Sequence, residues 1–67
     1  MKNTIKVERA RNNMTQAELA DKVKVSRQTI NAIETGKFIP STLLAFKIAH
    51  VLQVSIDAVF RLEDCDW

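Results

Sequence analysis

The sequence predicts an all-α protein of five short helices. Three observations carry this expectation. Hydroxyl residues at Thr4, Thr15, Ser26, Ser41 and Ser55 each stand where a helix N-cap belongs, just ahead of a segment with apolar periodicity. Apolar residues recur at three- and four-residue spacing, most clearly at Leu44, Ala45, Ile48, Ala49 and Leu52. Period-two strands and hairpin turns are absent. At 67 residues the chain is expected to be one domain, with a core over about residues 4–61 and an acidic tail over 62–67.

The first helix is expected over roughly residues 4–12, with Thr4 as its N-cap and Ile5 as its clearest core contact. Its pattern is the weakest of the five, because Val7 and Glu8 do not fit one apolar stripe. The second opens on TQAE at 15–18, a capping box: the Thr15 hydroxyl accepts from the Glu18 N–H while Glu18 reaches back to the Thr15 N–H. Leu19, Ala20 and Val23 then form its apolar patch. The third starts at the cap Ser26 and is expected to end near Gly36, the only glycine, which suits a left-handed C′ position. FIPST follows as a loop, and Ser41 caps the strongly amphipathic fourth helix. Ser55 caps the fifth, in VSIDAVF, where Ile56, Val59 and Phe60 share a face. The RLEDCDW tail is too short and acidic to assign a helix; a short extended segment or a disordered end are the alternatives.

Composition narrows the functional classes. The single cysteine, Cys65, has no partner for an internal disulfide, and no Cys/His cluster provides a metal site, so neither a metal nor a cofactor is expected. A reducing cytoplasm follows as the expected location. The polar N-terminus lacks a secretory apolar region, and no apolar run reaches the ~18 residues of a membrane span. His50, the only histidine, falls on the outer face of the fourth helix without partner ligands. No nucleophile, base and orienting group converge, so an enzyme is not expected. Residues 1–47 hold nine Lys/Arg against four Asp/Glu, whereas residues 48–67 hold one against four. The first two thirds can therefore face a polyanion.

The spacing of the second and third helices is the most informative feature. Taken as 15–23 and 26–35, they are joined by only Lys24 and Val25, which forces a steep crossing: a helix-turn-helix. At about 100° per residue, setting Arg27 at zero puts Asn31 at about 40°, Thr35 at about 80° and Gln28 at about 100°. Ile30 and Ile33 fall on the opposite side, near about 300° and about 240°. Arg27, Gln28 and Asn31 thus share an outward arc, bordered by the small Ala32. Arginine can pair with guanine O6 and N7, and the amides with adenine N6 and N7; Ser26 and Ala32 are placed for a thymine methyl or a phosphate. No carboxylate occupies the centre of this arc. The plain alternative, a merely solvated polar face, is outweighed by the combination of capped helix, short turn and basic balance.

TQAELADKVKVSRQTINAIETGK, followed by PSTLLAFKIAHVLQVSIDAVF, resembles the Cro/CI-like helix-turn-helix family of phage and prokaryotic regulators across about residues 5–60. The resemblance implies a five-helix lambda-repressor-like fold whose third helix enters the major groove of double-stranded DNA. It implies that Gln16 contacts a phosphate and braces that helix, a role its position at a helix N-terminus also favours. It places Lys37 on the DNA backbone, with Thr15, Asn13 and Thr35 as weaker phosphate candidates. Arg9 and Glu34 match a pair that bridges helices one and three. Many relatives put glycine after helices one, two and four; here those positions are Asn13, Lys24 and Gln53, so the two long side chains should each be strained by roughly 1 kcal/mol. Glu8 also occupies a position that is often apolar.

The expected function is therefore a sequence-specific transcriptional regulator, a repressor rather than an activator, acting as a homodimer on a palindromic operator, with no small-molecule effector and no membrane partner. Dimer contacts would come from the fifth helix or the tail, where Trp67 is either a disordered end or an anchor against a second chain, or would form only on DNA. The alternative is a protein-interaction adaptor or antitoxin using the same fold. Phe38 and Leu43 are expected to be more exposed than their apolarity suggests.

Overall fold

The computed structural model describes all residues, Met1–Trp67. Its elements run β1 (Lys2–Asn3), α1 (Ile5–Arg11), α2 (Gln16–Val23), α3 (Arg27–Glu34), α4 (Thr42–Leu52), α5 (Ile56–Val59), β2 (Phe60–Arg61) and a 3₁₀ turn (Asp64–Asp66). The five helices surround a single core of Ile5, Leu19, Ala20, Val23, Ile30, Ile33, Ala45, Ile48, Ala49, Leu52, Val59 and Phe60. Each of α1 to α5 contributes to it, which is what a 67-residue chain needs when aromatic residues are few. No helix is long and apolar enough to cross a membrane.

The starts of the helices follow local hydrogen bonding. Both halves of the Thr15–Glu18 capping box form, at 3.1 Å from the Glu18 N–H to the Thr15 hydroxyl and 2.9 Å from the Thr15 N–H to the Glu18 carboxylate. The Thr15 N–H, and after it the hydroxyl, hold the Glu18 carboxyl below its usual pKa. The contribution of this cap is complete above the unfolded carboxyl's titration range and is lost as pH falls through the lowered folded value. Ser26 and Ser41 cap α3 and α4 through the N–H groups of Thr29 and Leu44.

Four helices end in the same way. After α1, α2, α3 and α4 the chain turns through Asn13, Lys24, Gly36 and Gln53, all with positive φ. The N–H of the following residue reaches back five positions each time: Met14 to Arg9, Val25 to Ala20, Lys37 to Ala32 and Val54 to Ala49. This is the Schellman closure, which satisfies the orphan carbonyls of a helix end and favours glycine at the left-handed residue. Only Gly36 meets that preference. Lys24, at φ 62° and ψ 46°, carries the penalty of a Cβ in this region. Lys24→Gly is accordingly expected to stabilise the fold by about 1 kcal/mol, raising Tm by about 4–8 °C. A thermal melt showing a lower Tm contradicts that expectation.

The structure corrects four sequence expectations. Thr4 precedes α1 but makes no side-chain cap; its hydroxyl donates to the Ala58 carbonyl, and Asn3 Oδ1 accepts from the Ile5 N–H instead. Ser55 likewise makes no side-chain cap, and α5 is only one turn long. Phe60 is not on that helix: it lies in β2, paired antiparallel with β1 in the register Lys2 to Arg61 and Asn3 to Phe60. A two-residue strand is too short to show alternation, so the reading that strands were absent missed it. The tail begins extended, with Arg61 in β2, as one of the two sequence alternatives has it; beyond it Glu63 and Asp66 close a 3₁₀ turn by capping each other, and the Met1 ammonium lies 3.0 Å from Asp66 and 3.2 Å from Glu63. In α1, Glu8 is buried while Val7 is 51% exposed. The Glu8 carboxylate is compensated by Arg11 at 3.0 Å.

Candidate nucleic-acid interface

Three residues, Lys24 to Ser26, separate α2 from α3. The turn is closed by the Lys24 and Val25 N–H groups on the Asp21 and Ala20 carbonyls, and Val25 packs against the core beneath it. The eight residues of α3 then present two different faces. Ile30 and Ile33, 0% and 2% exposed, hold the helix on the core. Arg27, Gln28 and Asn31 are exposed on the other side, and Thr29 and Ala32 are intermediate. Burial of two isoleucines contributes several kcal/mol, so the orientation of α3 is set by its apolar face and the polar arc is left to solvent or a ligand.

Arg27, Gln28 and Asn31 join Gln16 around one open cleft of about 400 Å³ that has no apolar residue in its lining. Gln16 opens α2, so the cleft lies between the first turn of one helix and the outer face of the next. An adjoining cleft adds Arg9, Met14, Thr15 and Ala17 to Gln16 and Arg27. Arg27 and Lys37 form no ion pair with any carboxylate of the chain, so both cations are free to meet an external anion.

Behind the arc runs a polar network. Arg9 on α1 grips Glu34 on α3 with two parallel bonds, Nε to Oε2 at 2.7 Å and an Nη to Oε1 at 3.1 Å, and donates a third to the Met14 carbonyl. The pair is 14% and 7% exposed at its side chains. Gln16 donates to Glu34 Oε1 at 3.3 Å and to Asn31 Oδ1 at 3.2 Å. Glu34 is therefore turned away from the outward arc and neutralised by a bidentate arginine, the strongest geometry available to a carboxylate. The sequence reading missed one further support: Asn3 Nδ2 donates to the Ile33 carbonyl at 2.9 Å, tying β1 to the end of α3. An asparagine beside a helix start carries no signal for a partner 30 residues away.

The geometry sorts the remaining candidates. Ser26 sits at the exposed start of α3, but its oxygen already accepts from the Thr29 N–H and meets the Thr29 hydroxyl at 3.0 Å. The Thr35 hydroxyl donates to the Asn31 carbonyl at 2.9 Å, so its only proton is engaged inside the helix and is not on offer to a phosphate. Gln16 has both amide protons engaged on Glu34 and Asn31, which leaves the Gln16 and Ala17 backbone N–H groups at the start of α2 without a partner in the chain. Those N–H groups, with the helix dipole, are the anion-attracting feature at that end. The Thr15 side chain is committed to the Glu18 capping box, and Lys37 stands exposed immediately after the Gly36 turn. No group of three or more His, Cys, Asp or Glu side chains converges as a metal site would require.

An exposed polar helix seated by isoleucines behind a capped helix and a tight turn is the helix-turn-helix of a DNA-binding module. Comparison with known proteins places the chain within that class. A helix-turn-helix family profile matches residues 5–59. The chain is 56% identical over 64 residues to an HTH-type transcriptional regulator of Methanocaldococcus jannaschii, covering 96% of this chain and 97% of that one. It is 45% identical to the HTH-type transcriptional regulator YgzD of Bacillus subtilis, with the same coverage. Among solved structures, it superposes on the clp gene regulator ClgR of Corynebacterium glutamicum with a TM-score of 0.74 at 29% identity, over 78% of this chain and 55% of that one. The protein belongs to the helix-turn-helix family of transcriptional regulators.

Proposed function

We propose that the protein is a transcriptional repressor that binds a palindromic operator in double-stranded DNA as a homodimer. The observation that carries this reading is the division of α3 into a buried isoleucine face and an exposed Arg27–Gln28–Asn31 face with no carboxylate in it. Arg27, Gln28 and Asn31 read base edges, with Ser26 and Ala32 in apolar or backbone contact at the rim. Lys37 and the N–H groups opening α2 hold the phosphates on either side. Regulation is by occupancy alone, in the cytoplasm, without a catalytic step or a small-molecule effector.

Size supports two copies. An eight-residue helix is about 12 Å long, enough for roughly three to four base pairs of major groove. So short a site gives neither useful affinity nor useful specificity, and a two-fold dimer on half-sites about one turn apart supplies both. Leu62 and Trp67 of the C-terminal segment are among the exposed apolar side chains available for contact between copies, with Phe38, Ile39, Leu43 and Phe46 elsewhere on the surface.

Salt dependence tests the reading. If a dimer makes about six phosphate contacts, affinity for its operator falls about 10³-fold between about 50 and 200 mM salt. Retention of a protein partner that is insensitive to salt, with no shift of DNA at low salt, identifies an adaptor or antitoxin instead.

A further inference from the structure

The network behind α3 also sets which way one of its base-reading amides faces. An amide oxygen and an amide nitrogen have nearly the same shape, so their assignment must come from their partners. Here Glu34 decides it. Its carboxylate, gripped by Arg9, offers only acceptors, so the Gln16 atom 3.3 Å away must be the NH₂ group. That nitrogen has a second proton to donate, and it lies 3.2 Å from the Asn31 amide. Asn31 must answer with its oxygen. A single carboxylate thereby orients two amides in sequence.

We propose that Asn31 meets DNA as a hydrogen-bond donor and selects guanine over adenine at the base it reads. This rests on the reading of α3 as the base-reading helix. Adenine recognition by an asparagine requires the amide to accept from N6 while donating to N7. With Oδ1 turned toward Gln16, the outward group is Nδ2, and guanine offers it two adjacent acceptors, O6 and N7, with no competing donor. Cytosine, whose groove edge is an amine donor, is the base most disfavoured. Oδ1 retains a second lone pair, so adenine is disfavoured rather than forbidden. Gln16, Glu34 and Arg9 are positioning residues in this scheme: they set the polarity of Asn31 without touching a base.

The test carries the wild-type protein, Asn31→Ala and Gln16→Met through selection of bound sequences from a random DNA pool. Asn31→Ala identifies the position that Asn31 reads, as the one whose preference disappears. The wild type is expected to favour guanine there. Gln16→Met keeps the length of the side chain but removes its donors, so Asn31 can turn over and adenine rises about tenfold relative to guanine at that position alone. A purely structural role for Gln16 would weaken all sequences alike and leave the preferred base unchanged. Adenine as the wild-type choice, or an unaltered ratio in folded Gln16→Met, overturns the proposal. Should Gln16→Met fail to fold, the wild-type and Asn31→Ala profiles decide it between them. Absence of any enriched sequence for the wild type overturns base reading by α3 itself, and the polarity with it.

Discussion

Glu34→Ala is expected to destabilise the protein by about 3 kcal/mol, because it leaves the Arg9 guanidinium largely desolvated without its counter-charge. In a domain of this size that lowers Tm by more than about 10 °C. The loss is a property of the pair rather than of the glutamate. Arg9→Ala should cost a similar amount, and the double variant should cost about as much as either single one, giving a coupling energy of about 3 kcal/mol. Thermal or urea unfolding of the four proteins measures this directly. Additive losses would mean that the two side chains contribute independently, and that the α1–α3 tie is not what holds the recognition helix. The variant also strips Gln16 of its anchor, so any DNA binding that survives should lose base discrimination as well as strength.

Ile30→Ala is the second large effect. Ile30 is fully buried, in the same core as Leu19, Ile33 and Ile48, so truncation removes apolar burial and leaves a cavity that so small a core cannot easily close. The expected cost is about 3 kcal/mol, against about 1 kcal/mol for the smaller Ile33→Val. A small domain's whole stability is often only about 3–5 kcal/mol, so Ile30→Ala should keep at most about 2 kcal/mol and, like Glu34→Ala, carry a measurable unfolded fraction on mild warming. Its apparent DNA affinity then falls with the folded fraction and recovers on adding a stabilising osmolyte, with an unchanged choice of sequence. A fully folded Ile30→Ala with altered base preference would mean that Ile30 faces the groove and that the two faces of α3 are misassigned.

Much of this architecture is legible in the residues themselves. The Thr15–Glu18 box, the serine caps of α3 and α4, the glycine that ends α3 and the isoleucine stripe of the recognition helix all depend on neighbours within a few positions, and local spacing reports them. What escaped depends on distant neighbours. The β1–β2 pair joins Lys2 and Asn3 to Phe60 and Arg61 across nearly the whole chain. With two residues per strand it leaves no periodicity, and it converts the end of the expected fifth helix into an extended segment. Asn3 supports α3 through a single bond to the Ile33 carbonyl, which no motif announces. The candidate site divides along the same line. Which residues lie on the outward arc follows from helical periodicity, whereas the engagement of the Thr35 hydroxyl and of both Gln16 protons required side-chain geometry.

In the proposed complex Arg27 reads a base while Lys37 only holds the backbone. Sequence profiles of Arg27→Ala and Lys37→Ala, selected from the same random DNA pool as the wild type, test it most directly. Arg27→Ala is expected to lose about 1–3 kcal/mol on the wild-type operator and to relax preference at one position in each half-site. Lys37→Ala should weaken every sequence by a similar factor, leave the profile intact and flatten the salt dependence by about one unit of slope. Superimposable profiles for the two variants, or a profile altered by Lys37→Ala and untouched by Arg27→Ala, would contradict the assignment of α3 as the helix that reads DNA.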